Sequence, residues 1–230
     1  KSLPLFLITL GMSAPAAHAV NRFWEGNSSG TWNSTANWTN STTTLNSGSV
    51  VPLATDDVFF HMTGTLGGDG QAMNLAGNQV AGSITFRQSQ NFTIGANSGA
   101  NTGAKSLTIG AGGITKTSTS GSVTIRGNNT NGVVNVNLAT SASQTWTNAS
   151  TTTSFNLATI AIGTATTASA TIGLGANTLT LDGDGNFNFG TASTTNAVIT
   201  GSTGSLIKNG AGTLTIGGVN TYGGTTSIGG

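Results

Sequence analysis

Residues 204–230 read Gly204-Ser-Leu-Ile-Lys-Asn-Gly-Ala-Gly-Thr-Leu-Thr-Ile-Gly-Gly-Val-Asn-Thr-Tyr-Gly-Gly-Thr-Thr-Ser-Ile-Gly-Gly230. Three short apolar stretches stand between turns rich in Gly and Asn. They are Leu206-Ile207, then Leu214 and Ile216 with Thr213 and Thr215 between and before them, then Ile228 behind Thr225-Thr226-Ser227. Period-two alternation predicts strands with one buried face and a wet threonine face. Glycines at the corners allow the positive φ angles of tight turns. Strands this short, on turns with no room for a helix, do not make a stable sheet alone. Such a unit becomes stable by stacking on copies of itself.

Outward from this stretch, the same text recurs from about Thr63. Apolar-Thr-apolar appears as Ile84-Thr85-Phe86, Phe92-Thr93-Ile94, Leu107-Thr108-Ile109, Val123-Thr124-Ile125 and Leu179-Thr180-Leu181. Looser copies are Val134-Asn135-Val136, Ile160-Ala161-Ile162, Ile172-Gly173-Leu174 and Phe187-Asn188-Phe189. The gaps between copies vary, as in a solenoid whose turns carry insertions. A β-sandwich wants longer strands and larger core aromatics; here the inward positions read mostly as Leu, Ile and Val. Asn128, Asn129, Asn177, Asn209 and Asn220 are either stacked amides that bond from coil to coil or simple turn residues. The prediction is an all-β chain, with a parallel β-helix over 63–230.

The stretch 204–230 resembles the autotransporter-associated β-strand repeat of large secreted bacterial surface proteins. The resemblance rests on Leu206, Lys208, Gly210, Ala211-Gly212-Thr213-Leu214-Thr215-Ile216, Asn220-Thr221-Tyr222 and Gly223-Gly224-Thr225-Thr226. It implies a right-handed parallel β-helix, exported and displayed at the outer membrane of a Gram-negative-type bacterium, with no catalytic residues. Two further segments are similar to text in proteins bearing this repeat. One is Trp24-x-Gly26…Gly30-Thr31-Trp32-Asn33…Ala36-Asn37-Trp38; the other is Ser143-Gln144-Thr145-Trp146-Thr147-Asn148.

Composition narrows the class. Charged residues make up 6% of the 230, with 35 glycines, three prolines and no cysteine. Little Glu or Lys beside much Thr, Ser, Asn and Gly disfavours helix and favours strand and turn. Net charge is +1, and no basic patch exists to neutralise phosphates, so nucleic acid is not an expected partner. The lack of cysteine rules out disulfide staples.

Lys1, the apolar run Leu3 to Leu10 and the small-x-small triplet Ala17-His18-Ala19 predict a signal peptide over 1–19, cleaved after Ala19. The run is too short to cross a bilayer, so no membrane span is expected. Residues 20–62 hold Trp24, Trp32 and Trp38. They are expected to form an aromatic cap over the first coil, whose strand edges need cover. Asp56-Asp57-Val58-Phe59-Phe60 reads as a turn entering the cap's last strand. The functional alternative is a carbohydrate-binding face built on the same three indoles. Trp146 reads as a core filler. The text ends on a repeat with no capping segment or alternating barrel strands, which predicts a fragment of a longer protein.

Catalytic groups are sparse. His61 lies near Asp56 and Asp57, but serine is too common here to single out a triad. Lys105, Lys116, Arg87 and Arg126 are not interleaved with acids, as a polysaccharide lyase would need. Paired carboxylates for glycoside hydrolysis occur only as Asp56-Asp57 and Asp182/Asp184. Asp182-Gly183-Asp184-Gly185-Asn186 has the alternating oxygens of a calcium loop without the closing Glu, and reads otherwise as a plain turn. The sequons at Asn27, Asn33, Asn37, Asn91, Asn128 and Asn148 are expected by chance. The sequence thus predicts an exported, non-enzymatic surface rod without cofactors, part of an autotransporter-like passenger. Its partners would be surface glycans or other copies of itself, in adhesion or self-association. The alternatives are a carbohydrate-binding module and the non-catalytic part of a polysaccharide-degrading enzyme.

Overall fold

A computed structural model of the chain describes residues 19–25, 30–40, 50–60, 72–95, 104–127, 133–138, 142–158, 169–190 and 197–229. The described chain is all-β, with one short 3-10 turn at Thr35–Asn37. The first strands are β1 (Asn21–Trp24), β2 (Trp38–Thr39), β3 (Asp57–Phe60) and β4 (Ala72–Asn74). Next come β5 (Gln79–Phe86), β6 (Phe92–Gly95), β7 (Lys105–Lys116), β8 (Val123–Arg126) and β9 (Val133–Leu138). Then follow β10 (Gln144–Asn148), β11 (Phe155–Ala158), β12 (Ser169–Gly173), β13 (Thr178–Asp182) and β14 (Phe187–Phe189). The last are β15 (Ala197–Gly201), β16 (Ser205–Lys208), β17 (Leu214–Ile216), β18 (Thr221–Tyr222) and β19 (Thr226–Ile228).

Nearly all pairing is parallel, and it falls into three ladders that the chain visits in fixed rotation. Ladder one runs β3, the second half of β5, the second half of β7, β10, β13, β16, β19. Ladder two runs β4, β6, β8, β11, β14, β17. Ladder three runs the first halves of β5 and β7, then β9, β12, β15, β18. β5 and β7 turn the corner from ladder three to ladder one without a break, with a register shift between Ala81 and Ser83. The repeat is uneven: side chains bond the next layer across 27 residues at Asn186–Thr213 and across 35 at Gln144–Ile109.

Period-two alternation decides what each ladder buries. Inward on ladder one stand Val58, Ile84, Ile114, Trp146, Leu181 and Lys208, each paired with the next. Inward on ladder two stand Phe92, Val123, Phe155, Phe187 and Leu214. Like apolar groups in register remove one another from water, at about 1.5–3 kcal/mol for each fully buried Val, Leu, Ile or Phe. The core is more aromatic than the sequence reading expected. Phe60, Phe86, Phe92, Phe155, Phe187 and Phe189 join Trp146 inside. Short strands from three directions leave a central gap that rings fill.

Within residues 204–230 the structure has four strands rather than three. Thr221–Tyr222 is the extra one, and Thr226–Ile228 pairs back on Leu206–Lys208. The repeat therefore closes a complete circuit and begins the next. Every recurring apolar-x-apolar unit lies at a strand except Ile160–Ile162, which falls outside the described residues. The corners stack as tightly as the strands. At Gly183 (φ +96°) a Cβ would lie 2.4 Å from Asn148 O, and at Gly210 (φ +70°) 2.5 Å from Gly183 O. Both positions need glycine for backbone conformation and for the close approach of the next layer.

Ladder one reaches back into the aromatic segment, since β1 pairs in parallel with β3. There the order breaks: β2 runs antiparallel on β1. Trp24 and Trp32 both pack edge-on to Trp38, at 5.0 and 5.1 Å between centroids. The cluster continues through Phe60 to Phe86 at 5.0 Å. Arg22 Nε, on β1, meets Asp56 Oδ2 at 2.9 Å.

Candidate functional site

Trp24, Trp32 and Trp38 are 1%, 0% and 0% exposed. Trp38 Nε1 donates to Trp32 O at 2.6 Å. Stacking on a sugar requires a ring face in solvent, and these faces are turned on one another and on Phe60. The carbohydrate-face reading of the three indoles is therefore corrected: they are the packed interior of the N-terminal segment. Trp146 is likewise buried, with Nε1 donating to Gln144 Oε1 at 2.8 Å.

Asp182, Asp184 and Asn186 share one turn, but their oxygens do not converge on a point. Asp182 Oδ1 accepts the Gly183 N–H at 2.7 Å, and Asn186 Oδ1 accepts the Thr213 N–H of the next layer at 2.9 Å. Among the described residues no three of His, Cys, Asp and Glu are grouped to hold a metal. The two aspartates face Lys208. Burial pushes the Lys208 ammonium below its ordinary value, while Asp182 and Asp184 pull it back up. Its Nζ donates to Gly210 O at 2.9 Å and to Asn209 O. The turn is thus a counter-charge for a buried structural lysine. His61 lies outside the described residues.

The most concentrated polar chemistry lies inside the molecule, where β7 meets β10. Lys116 and Asn148 are register partners, and both are 0% exposed. Lys116 Nζ donates to Asn148 Oδ1 (3.2 Å), Ser120 O (3.2 Å), Thr153 O (3.3 Å) and Thr153 Oγ1 (2.5 Å). Asn148 Oδ1 also accepts the Ser150 N–H at 3.1 Å, and Nδ2 donates to Thr153 O and Asn186 O. Burial alone pushes the Lys116 amine down to about 8. Sequence reasoning missed this pair. The signal was present in the alternation, which puts Lys116 and Asn148 on the inward side after Ile114 and Trp146.

The outward positions of ladder two are polar. One polar side chain per layer forms a row on ladder two: Thr93, Thr124, Asn156, Asn188 and Thr215. Asn188 Nδ2 donates to Asn156 Oδ1 at 3.1 Å. The layer-to-layer amide pair therefore lies in mid-strand, not at the expected turns. Asn220 instead accepts the Ile199 N–H at 2.8 Å, and Asn128 and Asn129 fall outside the described residues. The sequons at Asn37 and Asn148 are buried. A shallow groove of about 280 Å³ beside ladder one is lined by hydroxyls of Ser143, Thr145, Thr178 and Thr180 and by Gly112. It offers hydrogen bonds to neutral polar groups and no charge. Among the described residues no helix is long and apolar enough to cross a membrane. No family model, curated protein or solved structure matches the chain.

Proposed function

We propose that the chain is a right-handed parallel β-helix serving as an exported, non-enzymatic surface rod, the passenger-like part of an autotransporter-type protein. The observation that carries this reading is the three-ladder rotation, with a hydroxyl- or amide-bearing residue facing outward in layer after layer. The right hand is supported by the strong general preference of parallel crossover connections. Export is supported by Leu3–Leu10 and Ala17-His18-Ala19. A charge-poor surface of Thr, Asn and Ser rows suits weak, repeated hydrogen bonding to glycans or to like surfaces. It gives little long-range electrostatic repulsion between copies.

The test is expression of the chain, with residues 1–19 retained behind a start Met, in a Gram-negative host. The reading predicts a mature product starting at Val20 outside the inner membrane, and clumping of cells that display it. A product retained in the cytoplasm with residues 1–19 attached would overturn export. Release of soluble sugar from polysaccharide by the purified chain would overturn the non-enzymatic reading.

A further inference from the structure

We propose that Lys116 and Asn148 form an intramolecular isopeptide bond that covalently ties two neighbouring layers of the fold. Register puts the two side chains directly opposite each other on adjacent strands, both fully buried, with Nζ 3.2 Å from Oδ1. Proximity of this kind converts a slow bimolecular reaction into an intramolecular one. Nζ attacks Cγ of Asn148, the Cγ–Nδ2 bond breaks, and Nδ2 leaves as ammonia. The products are a secondary amide and ammonia, so no oxidant or cosubstrate is needed.

The surroundings supply the remaining parts. The Ser150 N–H, 3.1 Å from Oδ1, holds the negative charge that develops on that oxygen. The Thr153 hydroxyl, 2.5 Å from Nζ, accepts from the attacking amine, and in the tetrahedral adduct Nζ and Nδ2 share Cγ, so the amine's proton crosses to the departing nitrogen within that adduct. Nδ2 itself lies 3.2 Å from Thr153 O. The flanking strands β5 and β10 carry no ionisable side chain. β11 carries none either, and β8 contributes only Arg126 at its far end. Asp182 and Asp184 lie in the turn packed on Asn148 from β13, yet burial is what shifts Lys116, and it favours the neutral, nucleophilic amine. Buried apolar walls at Trp146 and Phe86 keep hydrolysis of the product slow.

The experiment is intact-mass and tryptic mapping of the folded, purified chain, incubated at pH 7 and at pH 9. The expected species is lighter by one ammonia. It yields a branched peptide that joins segment 106–126, uncleaved after Lys116, to segment 127–208, which contains Asn148. The initial rate of its formation rises about tenfold between the two pH values, following the neutral fraction of an amine titrating near 8. Lys116→Met is the control. Ser120 O and Thr153 O each keep another donor, as does Asn148 Oδ1, so this variant folds and keeps its full mass. An unchanged mass at both pH values, with normal cleavage after Lys116, overturns the proposal. So does an ammonia loss confined to a single linear peptide, which marks a succinimide such as Asn209-Gly210 would give.

Discussion

Replacing Gly183 by alanine tests whether the corners of successive layers are in contact. The first contribution is conformational. Gly183 sits at φ +96°, where a residue with a Cβ is disfavoured by about 1–2 kcal/mol. The second comes from the neighbouring layer. The new Cβ would lie 2.4 Å from Asn148 O and 2.9 Å from its carbonyl carbon. That is backbone, which cannot swing aside, so the corner must separate. Separation breaks Gly185 N–H to Asn148 O (2.8 Å) and stretches Asn148 Nδ2 to Asn186 O (2.9 Å). At about 1 kcal/mol for each hydrogen bond the total is about 3–4 kcal/mol. Gly175 is the matched control. Its φ is +61°, yet an added Cβ would meet only Asn177 Nδ2, at 4.0 Å. Gly175→Ala should therefore lose only the conformational share, about 1–2 kcal/mol. Urea unfolding followed by tryptophan fluorescence compares the two. The expected gap of about 2 kcal/mol corresponds to a difference of about 4–8 °C in melting temperature for a chain of this size. Equal losses in both variants would mean that Asn148 does not lie against Gly183, and the stacking of corners would be refuted.

Three further outcomes follow from the core and its charges. Trp146→Ala removes a 0%-exposed indole between Phe155 and Phe189 and should cost about 3–5 kcal/mol in urea unfolding. A loss below about 1 kcal/mol would place Trp146 at the surface. Asp56→Ala removes the carboxylate that meets Arg22 Nε, and also the acceptor of the Val20 and Leu53 N–H groups. Removing the counter-ion of a buried guanidinium should cost about 3–5 kcal/mol, read as earlier melting and as faster amide exchange in β1. Lys208 titrates below its ordinary value because of burial. Just below the ordinary lysine range the unfolded chain therefore binds more protons than the folded one, and stability rises with pH there. Lys208→Met should flatten that rise in melts taken across the alkaline range, and a slope unchanged by the substitution would contradict the burial of Lys208.

Much of the fold was legible because its code is short-range. Alternation located Ile84–Phe86, Phe92–Ile94, Leu107–Ile109, Val123–Ile125 and Leu179–Leu181 on strands, and glycine placed the corners. Thr221–Tyr222 escaped because two residues show no alternation; pairing with Thr200–Gly201 defines that strand. The cap reading of the tryptophans followed from their density, whereas their burial on one another needs tertiary placement. The pairing of Asn156 with Asn188 was hidden for a related reason. Amides 32 residues apart become neighbours only once the loop lengths fix the layer spacing. Lys116 was legible in principle: it follows Ile114 at the inward parity, and a lysine at an inward position is an anomaly that period-two reading can flag. Its partner was not, because Asn148 reaches it through the register of β7 on β10.

On ladder two the chain advances by one strand spacing per layer. Thr93 and Thr215 lie in one outward row of ladder two, four layers apart through Thr124, Asn156 and Asn188. The native chain has no cysteine, so Thr93→Cys/Thr215→Cys can carry two spin labels alone. At about 4.8 Å per layer, pulsed electron paramagnetic resonance should give a narrow distance near 19 Å. A broad distribution centred well beyond that, on the scale of an unfolded segment whose radius of gyration alone is ~36 Å, would contradict the stacked-layer account.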